Sequence, residues 1–441
     1  MTTYHCEYAA LPGGVHDDVL IDVDGERIAS VRTETAVPDG AVRLTGLTLP
    51  GLANAHSHAF HRALRGRTHG GRGDFWSWRE QMYTVAACLD PDSYLRLARA
   101  VYAEMALAGV TVVGEFHYLH RQPDGRPYDE PNAMGHALVQ AAADAGVRLT
   151  LLDTCYLQAG PDGRPLAGPQ LRFTDGSAEA WAARVAYLRA PRVGAAVHSV
   201  RACPPAAMTA VGGWAQRSDA PLHFHLSEQR RENEECLAAY GRTPAQLVAD
   251  AGLLDGNATA VHATHLTGAD IALLGGARTY ACFCPTTERD LGDGIGQAQA
   301  LVAAGAGLCL GSDSHAHVDL LEEARAVELH ERLAGECRGV FGPAELLQAA
   351  AAAGYQSLGW PDGGVLAAGA LADLTTVRLD SVRLAGAPAG DALLAAVLHA
   401  GSAADVASVV VAGEPVVVDG VHLRVPDTAA ELDREIRALF P

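Results

Sequence analysis

The chain has 441 residues, 49% of them hydrophobic and 19% charged, the balance of a globular protein and not of a disordered one. Its formal net charge of −19 argues against nucleic acid or an anionic membrane as a partner, while leaving room for an acidic small molecule in a locally positive pocket. All 33 basic residues are arginine, which excludes a Schiff-base lysine, a P-loop lysine and a carbamylated lysine bridging two metal ions.

The nine cysteines are scattered, and an odd number cannot all pair within one chain. The first residues lack a basic-then-apolar leader pattern, and no uncharged apolar run reaches membrane-spanning length. A reducing cytoplasm is the expected compartment. The length suits a barrel of about 250 residues with a smaller domain beside it.

In chain order, residues 1–50 read as short strands at 18–23, 27–31 and 41–50, separated by Asp24-Gly25 and Asp39-Gly40 turns. The stretch 51–365 alternates. Runs of β-branched and apolar residues recur at 47–58, 110–118, 147–156, 193–201, 221–228, 258–266, 278–285 and 307–315. Helix-like stretches such as 91–107, 177–189 and 320–337 lie between them. An arginine-rich loop, 62–72, follows the first run and is either solvated or turned toward a substrate. The alanines at 349–353 read as a helix interior. From 366 to 441 the chain returns to strands at 372–378 and 406–419, with Ala412-Gly413 and Asp419-Gly420 turns, and ends in a helix. The expected fold is α/β: a (β/α)8 barrel over 51–365, with a small β-sandwich built from both chain ends.

In such a barrel the chemistry sits at the C-terminal ends of the strands. The first strand ends in His56-Ser57-His58, and strand alternation turns both imidazoles to one face. The fifth ends in His223-Phe224-His225-Leu226-Ser227-Glu228, the sixth carries His262 and His265, and the eighth ends in Asp313-Ser314-His315. Three imidazoles and one carboxylate from this set suit zinc or a similar transition ion. Cys282 and Cys284 have no further cysteine pair nearby, so they read as packing of the seventh strand.

These motifs, H-x-H after the first strand, H-x-x-E after the fifth, His after the sixth and Asp after the eighth, resemble the amidohydrolase superfamily. The run GGVLAAGALADL at 363–374 resembles the segment that returns such chains to their sandwich, and the resemblance covers essentially the whole chain. It implies His56, His58, His225 and Asp313 as metal ligands. His225 is preferred to His223 because only His225 has Glu228 three residues on; His223 lies one layer deeper. Without a bridging lysine, the resemblance implies one divalent ion, zinc, or iron(II) on the same ligands. Such an ion lowers the pKa of a bound water and supplies hydroxide near neutral pH. By the same resemblance Asp313 also takes a hydrogen bond or proton from that water, His262 orients it and stabilises developing charge, and Glu228 carries a proton to the leaving nitrogen. His265 faces either the site or a helix.

A finer resemblance lies in NAHSHAFHR at 54–62, FWSWRE at 75–80, GEFHYLH at 114–120 and HSVR at 198–201, with Gln229 and LGDG at 291–294. These are similar to the formimidoylglutamate deiminases. That likeness implies hydrolysis of N-formimino-L-glutamate to N-formyl-L-glutamate and ammonia, in histidine degradation, by a homodimer. It also implies that His61, Arg79, Tyr118, His198 and Arg201 bind the acidic substrate, arginine being suited to bidentate pairing with carboxylate. His61 departs from the family, which usually has Gln there. Glu115, His117 and His120 are expected to support the site rather than touch substrate. The rival readings are an aminohydrolase for a purine or pterin, whose pocket would favour aromatic stacking, and a non-catalytic barrel.

Overall fold

The computed structural model describes residues 1–33, 37–70 and 73–440; Gly71 and Arg72 of the arginine-rich loop lie outside the described residues. The chain opens with β1 (Thr2–Leu11), β2 (Gly14–Asp24), β3 (Arg27–Arg32) and β4 (Val42–Pro50). Eight barrel strands follow: β5 (Leu52–Ser57), β6 (Val110–His117), β7 (Arg148–Cys155), β8 (Arg192–Val197), β9 (Leu222–Leu226), β10 (Ala258–His262), β11 (Tyr280–Phe283) and β12 (Gly307–Leu310). The chain closes with β13 (Leu374–Val377), β14 (Val406–Val411), β15 (Glu414–Val418), β16 (Val421–His422) and the helix Thr428–Leu439.

Each of the eight expected strands of the alternating region is present, and neighbours from β5 to β12 pair in parallel. β6 is buried along its whole length, as a parallel strand must be when helices cover the sheet outside and side chains fill it inside. The barrel closes between β5 and β12 just beyond the end of β12. There Asp313 N donates to the His56 carbonyl at 3.0 Å and His58 N donates to the Asp313 carbonyl at 3.2 Å. Asn54 locks the same seam: its Oδ1 accepts from Ser312 N at 2.9 Å and its Nδ2 reaches Ser312 Oγ at 2.7 Å.

The helices begin where the sequence offers caps. Asp90 accepts from Ser93 N at 2.8 Å and starts Pro91–Leu107, and Thr267 with Asp270 starts Gly268–Gly276. Asp74 with Ser77 starts Phe75–Cys88, the helix that follows the arginine-rich loop and reaches the barrel mouth.

The two chain ends form one continuous mixed sheet in the order β16-β15-β14-β13-β4-β1-β2-β3. Its join is the antiparallel pairing of β13 with β4, from Leu374 opposite Pro50 to Val377 opposite Leu47. β1 has no counterpart among the expected strands. Beyond Thr2 and Thr3 it carries no β-branched residue, and pairing with β2 and β4 holds it extended. Sheet and barrel are tied by buried Asp373, which accepts from Arg148 Nε at 2.8 Å and Tyr355 Oη at 2.6 Å. Among the described residues no helix is long and apolar enough to cross a membrane.

Candidate active site

β5 delivers His56 and His58 to the barrel axis, β9 delivers His225, and the turn after β12 delivers Asp313. His56 Nε2 lies 3.1 Å from His225 Nε2 and 3.3 Å from Asp313 Oδ1. His58 Nε2 lies 3.4 Å from His225 Nε2 and 3.4 Å from Asp313 Oδ1. Ligands each about 2.0–2.1 Å from a tetrahedral ion are about 3.3 Å apart. The four side chains therefore converge with the spacing of a metal centre.

Protonation points the same way. His58 Nδ1 is 2.9 Å from the Phe116 carbonyl and His225 Nδ1 is 2.8 Å from the His198 carbonyl, so each ring donates there. Burial lowers the pKa of both rings well below the usual histidine value, and lowers that of His56 as well. Neutral rings with Nδ1–H committed present Nε2 lone pairs to one another and to a carboxylate. A bound cation would resolve that contact. Burial would raise Asp313, but the imidazoles of His56 and His262 outweigh it and hold the carboxyl below its ordinary range.

The turns that carry these groups are conformationally unusual. Among the described residues eleven non-glycine residues have positive φ, and five of them are Ser227, His262, Ala263, Asp313 and His315, at the ends of β9, β10 and β12. Side chains other than glycine and asparagine rarely adopt this region, and such strain concentrates at functional sites. Glu115 fixes the turn after His58, accepting from Ala59 N at 2.7 Å and Ser57 Oγ at 2.8 Å. Burial raises its carboxyl to about 7, against the pull of those hydrogen bonds.

Beside the four ligands lie Glu228 and His262. Glu228 Oε1 is 3.8 Å from His262 Nε2, which is also 3.8 Å from Asp313 Oδ2. His262 Nδ1 faces Glu288 Oε1 at 3.5 Å. Burial would lower His262, but the carboxylates of Glu228, Glu288 and Asp313 outweigh it and lift the imidazole to about 10. Glu228 is raised by burial, partly offset by His262 and Arg201.

One cavity opens onto this centre. His58, His225, Asp313, Glu228 and His262 line it, and so do all five expected substrate residues, His61, Arg79, Tyr118, His198 and Arg201. His56 is fully buried beneath. His61 is 2.8 Å from Tyr118 Oη, and burial pushes its pKa down to about 3, so it is a neutral hydrogen-bonding ring in place of the glutamine. Arg79 lies over Trp76 at 4.6 Å and keeps its buried Nε without a partner; Arg201 lies over Phe75 at 5.2 Å. His265 does not line the cavity, and His223 Nε2 donates to the Ser357 carbonyl at 3.0 Å.

Residues given no role in the sequence reading also shape the wall. Trp78 and Tyr83 come from the helix Phe75–Cys88, Tyr156 follows β7, and Phe173 comes from the long connection after it. Glu288, in the first turn after β11, was missed because a single carboxylate in a short helix carries no spacing signal. His117, His120 and Asp153 form a second cluster of ligand-type groups. Its carboxylate is already taken by Arg184, at 2.7 and 2.8 Å, and by Trp181 Nε1 at 2.9 Å, which makes it a buried structural charge network.

The fold and centre are those of a metal-dependent hydrolase, and the amidohydrolase family model matches residues 47–416: the chain belongs to that family. Among characterised relatives it is 39% identical over 439 residues to formimidoylglutamate deiminase of Pseudomonas aeruginosa, covering 96% of each chain. It is 28% identical to 5-methylthioadenosine/S-adenosylhomocysteine deaminase of Pelotomaculum thermopropionicum, covering 97% of this chain and 95% of that one. Among solved structures, an amidohydrolase from Brucella melitensis superposes with a TM-score of 0.92 at 32% identity over the whole of both chains. An adenosine deaminase from Xanthomonas campestris with bound zinc shares the fold, with a TM-score of 0.83 at 22% identity over 99% of this chain and 98% of that one.

Proposed function

We propose that the protein is a hydrolytic deiminase that converts N-formimino-L-glutamate and water to N-formyl-L-glutamate and ammonia, as a step of histidine degradation. The observation that carries this reading is the placement of Arg79 and Arg201 in the wall of the same cavity as the four-ligand centre and Glu228. Two fixed cations suit the two carboxylates of this substrate, and the centre suits its C=N carbon. The 39% identity to a formimidoylglutamate deiminase over nearly the whole of both chains supports the same assignment.

His56, His58, His225 and Asp313 would hold one divalent ion, zinc by the preference of three imidazoles and a carboxylate, which supplies a water acidified enough to act near neutral pH. The remaining chemistry belongs to side chains. Asp313 takes a hydrogen bond or proton from the attacking water. Glu228 passes protons to the imino nitrogen, so that the C–N bond breaks with ammonia leaving and the oxygen stays on carbon as the formyl group. His262, whose imidazole is raised by the carboxylates around it, donates to the oxygen as negative charge builds there. Arg79, Arg201, Tyr118, His198 and neutral His61 fix the glutamate moiety.

Ammonia release by metal-loaded protein from N-formimino-L-glutamate tests the reading, with 5-methylthioadenosine and guanine as comparison substrates. Release from the formimino compound alone is the expected result. Release from a purine and none from N-formimino-L-glutamate would reassign the pocket to aromatic stacking by Phe75, Trp78 and Tyr156.

A further inference from the structure

We propose that Glu232 is a positioning residue that sets the substrate clamp and the proton carrier with one side chain, an inference that rests on the function proposed above. Glu232 lies in the first turn of the helix Arg230–Tyr240, four residues after Glu228, and is fully buried. A carboxylate taken fully out of water needs a specific compensation. Two partners supply it. Oε1 accepts from Ser227 N at 3.2 Å, and Oε2, which has no hydrogen-bond partner, lies 3.5 Å from Arg201 Nε.

Both partners belong to the working parts of the site. Ser227 has φ of 51° and directly precedes Glu228, so its peptide decides where the Glu228 side chain starts. A residue held in the left-handed region keeps that conformation only where its surroundings impose it, and the bond from Ser227 N to Glu232 is such an imposition. On the other side, Arg201 Nη2 reaches Glu228 Oε2 at 3.3 Å, while its Nε donates to Ser199 Oγ at 3.4 Å and faces the charge of Glu232 Oε2 at 3.5 Å. Arg201 thus stands between two carboxylates, one catalytic and one structural. Glu228 has to leave Arg201 to serve the leaving nitrogen, and the incoming substrate carboxylate takes its place. Glu232 then keeps its charge on the Nε edge, beside the Ser199 hydroxyl that accepts from Nε, and a fork held at that edge leaves the terminal nitrogens free for a bidentate pair.

Glu232→Gln keeps the shape and the acceptor for Ser227 N but removes the charge facing Arg201. The expected result is a fall of about 100-fold in kcat/KM for N-formimino-L-glutamate and about tenfold weaker binding of N-formyl-L-glutamate by calorimetry, with one metal ion per chain retained. The Arg201→Met background separates positioning from mere stability. There Glu232→Gln should change product affinity by less than about threefold, since the group it acts through is gone. Equal losses in both backgrounds, or a Glu232→Gln variant within about threefold of the unmodified enzyme, would overturn the inference. If Glu232→Gln does not fold, Glu232→Asp serves instead: it keeps the charge but withdraws it by one methylene, and an unchanged kcat/KM for that variant likewise overturns the inference. Failure of the unmodified, metal-loaded enzyme to release ammonia from N-formimino-L-glutamate defeats the substrate reading first, and this inference with it.

Discussion

Glu228 sits between Arg201 at 3.3 Å and His262 at 3.8 Å and is not one of the four groups that converge as a candidate metal site. Glu228→Gln should lower kcat by about 10²- to 10⁴-fold while leaving the bound metal in place, as measured by elemental analysis beside steady-state kinetics. Loss of metal from that variant would mean that Glu228 belongs to the ligand set. Arg201→Met should raise KM by about 100-fold and lower kcat by less, because the clamp acts on ground state and transition state alike. An unchanged KM would refute the carboxylate clamp. The candidate ligands could be picked out in the sequence because few residue types bind transition ions, alternation turns His56 and His58 to one face, and the family resemblance separates His225 from His223. Glu232 and Tyr156 could not: one acts through a strained turn and the other through a wall assembled from distant segments, and neither leaves a spacing pattern.

The seam between β5 and β12 is where element structure and site coincide. The backbone bonds that close the barrel join His56 and His58 to Asp313, so the ligands and the closure share the same peptides. Asn54 supports that seam with two hydrogen bonds to Ser312. Asn54→Ala leaves buried polar groups without partners and should cost roughly 2–4 kcal/mol of stability, together with weaker metal retention. Urea titration and competition with a chelator measure the two effects, and an unchanged midpoint with unchanged metal affinity would contradict this role for the seam. The eight barrel strands were readable from β-branched runs alternating with helices. β1 was hidden, because His5, Cys6, Glu7 and Tyr8 carry no alternation strong enough to mark a strand, and one of its two pairing partners, β4, lies far along the chain, beyond β2 and β3.

At the scale of the whole molecule, burial is offset by paired charge at a few points, Asp153 with Arg184 among them. Burial would raise Asp153, but the Arg184 guanidinium and the neighbouring His120 outweigh it and hold its carboxyl well below the ordinary range. A carboxyl depressed in the folded state contributes stability that is present above its unfolded pKa and lost as pH falls through its folded one. Arg184→Met should therefore cost about 3–5 kcal/mol at neutral pH by leaving Asp153 buried and unpaired, and the deficit should shrink as pH falls below about 4. Thermal unfolding across pH checks this, and a deficit independent of pH would show that lost packing and not charge is responsible. The absence of lysine, visible in the sequence alone, bears on the whole account, since it excludes a carbamylated-lysine bridge at the centre where, among the described residues, His56, His58, His225 and Asp313 converge. The most direct test is to strip the protein of metal and titrate zinc back while following ammonia release from N-formimino-L-glutamate. Activity should rise linearly and stop rising at one ion per chain; a break at two ions per chain, or no activity at any loading, would contradict a single-ion deiminase.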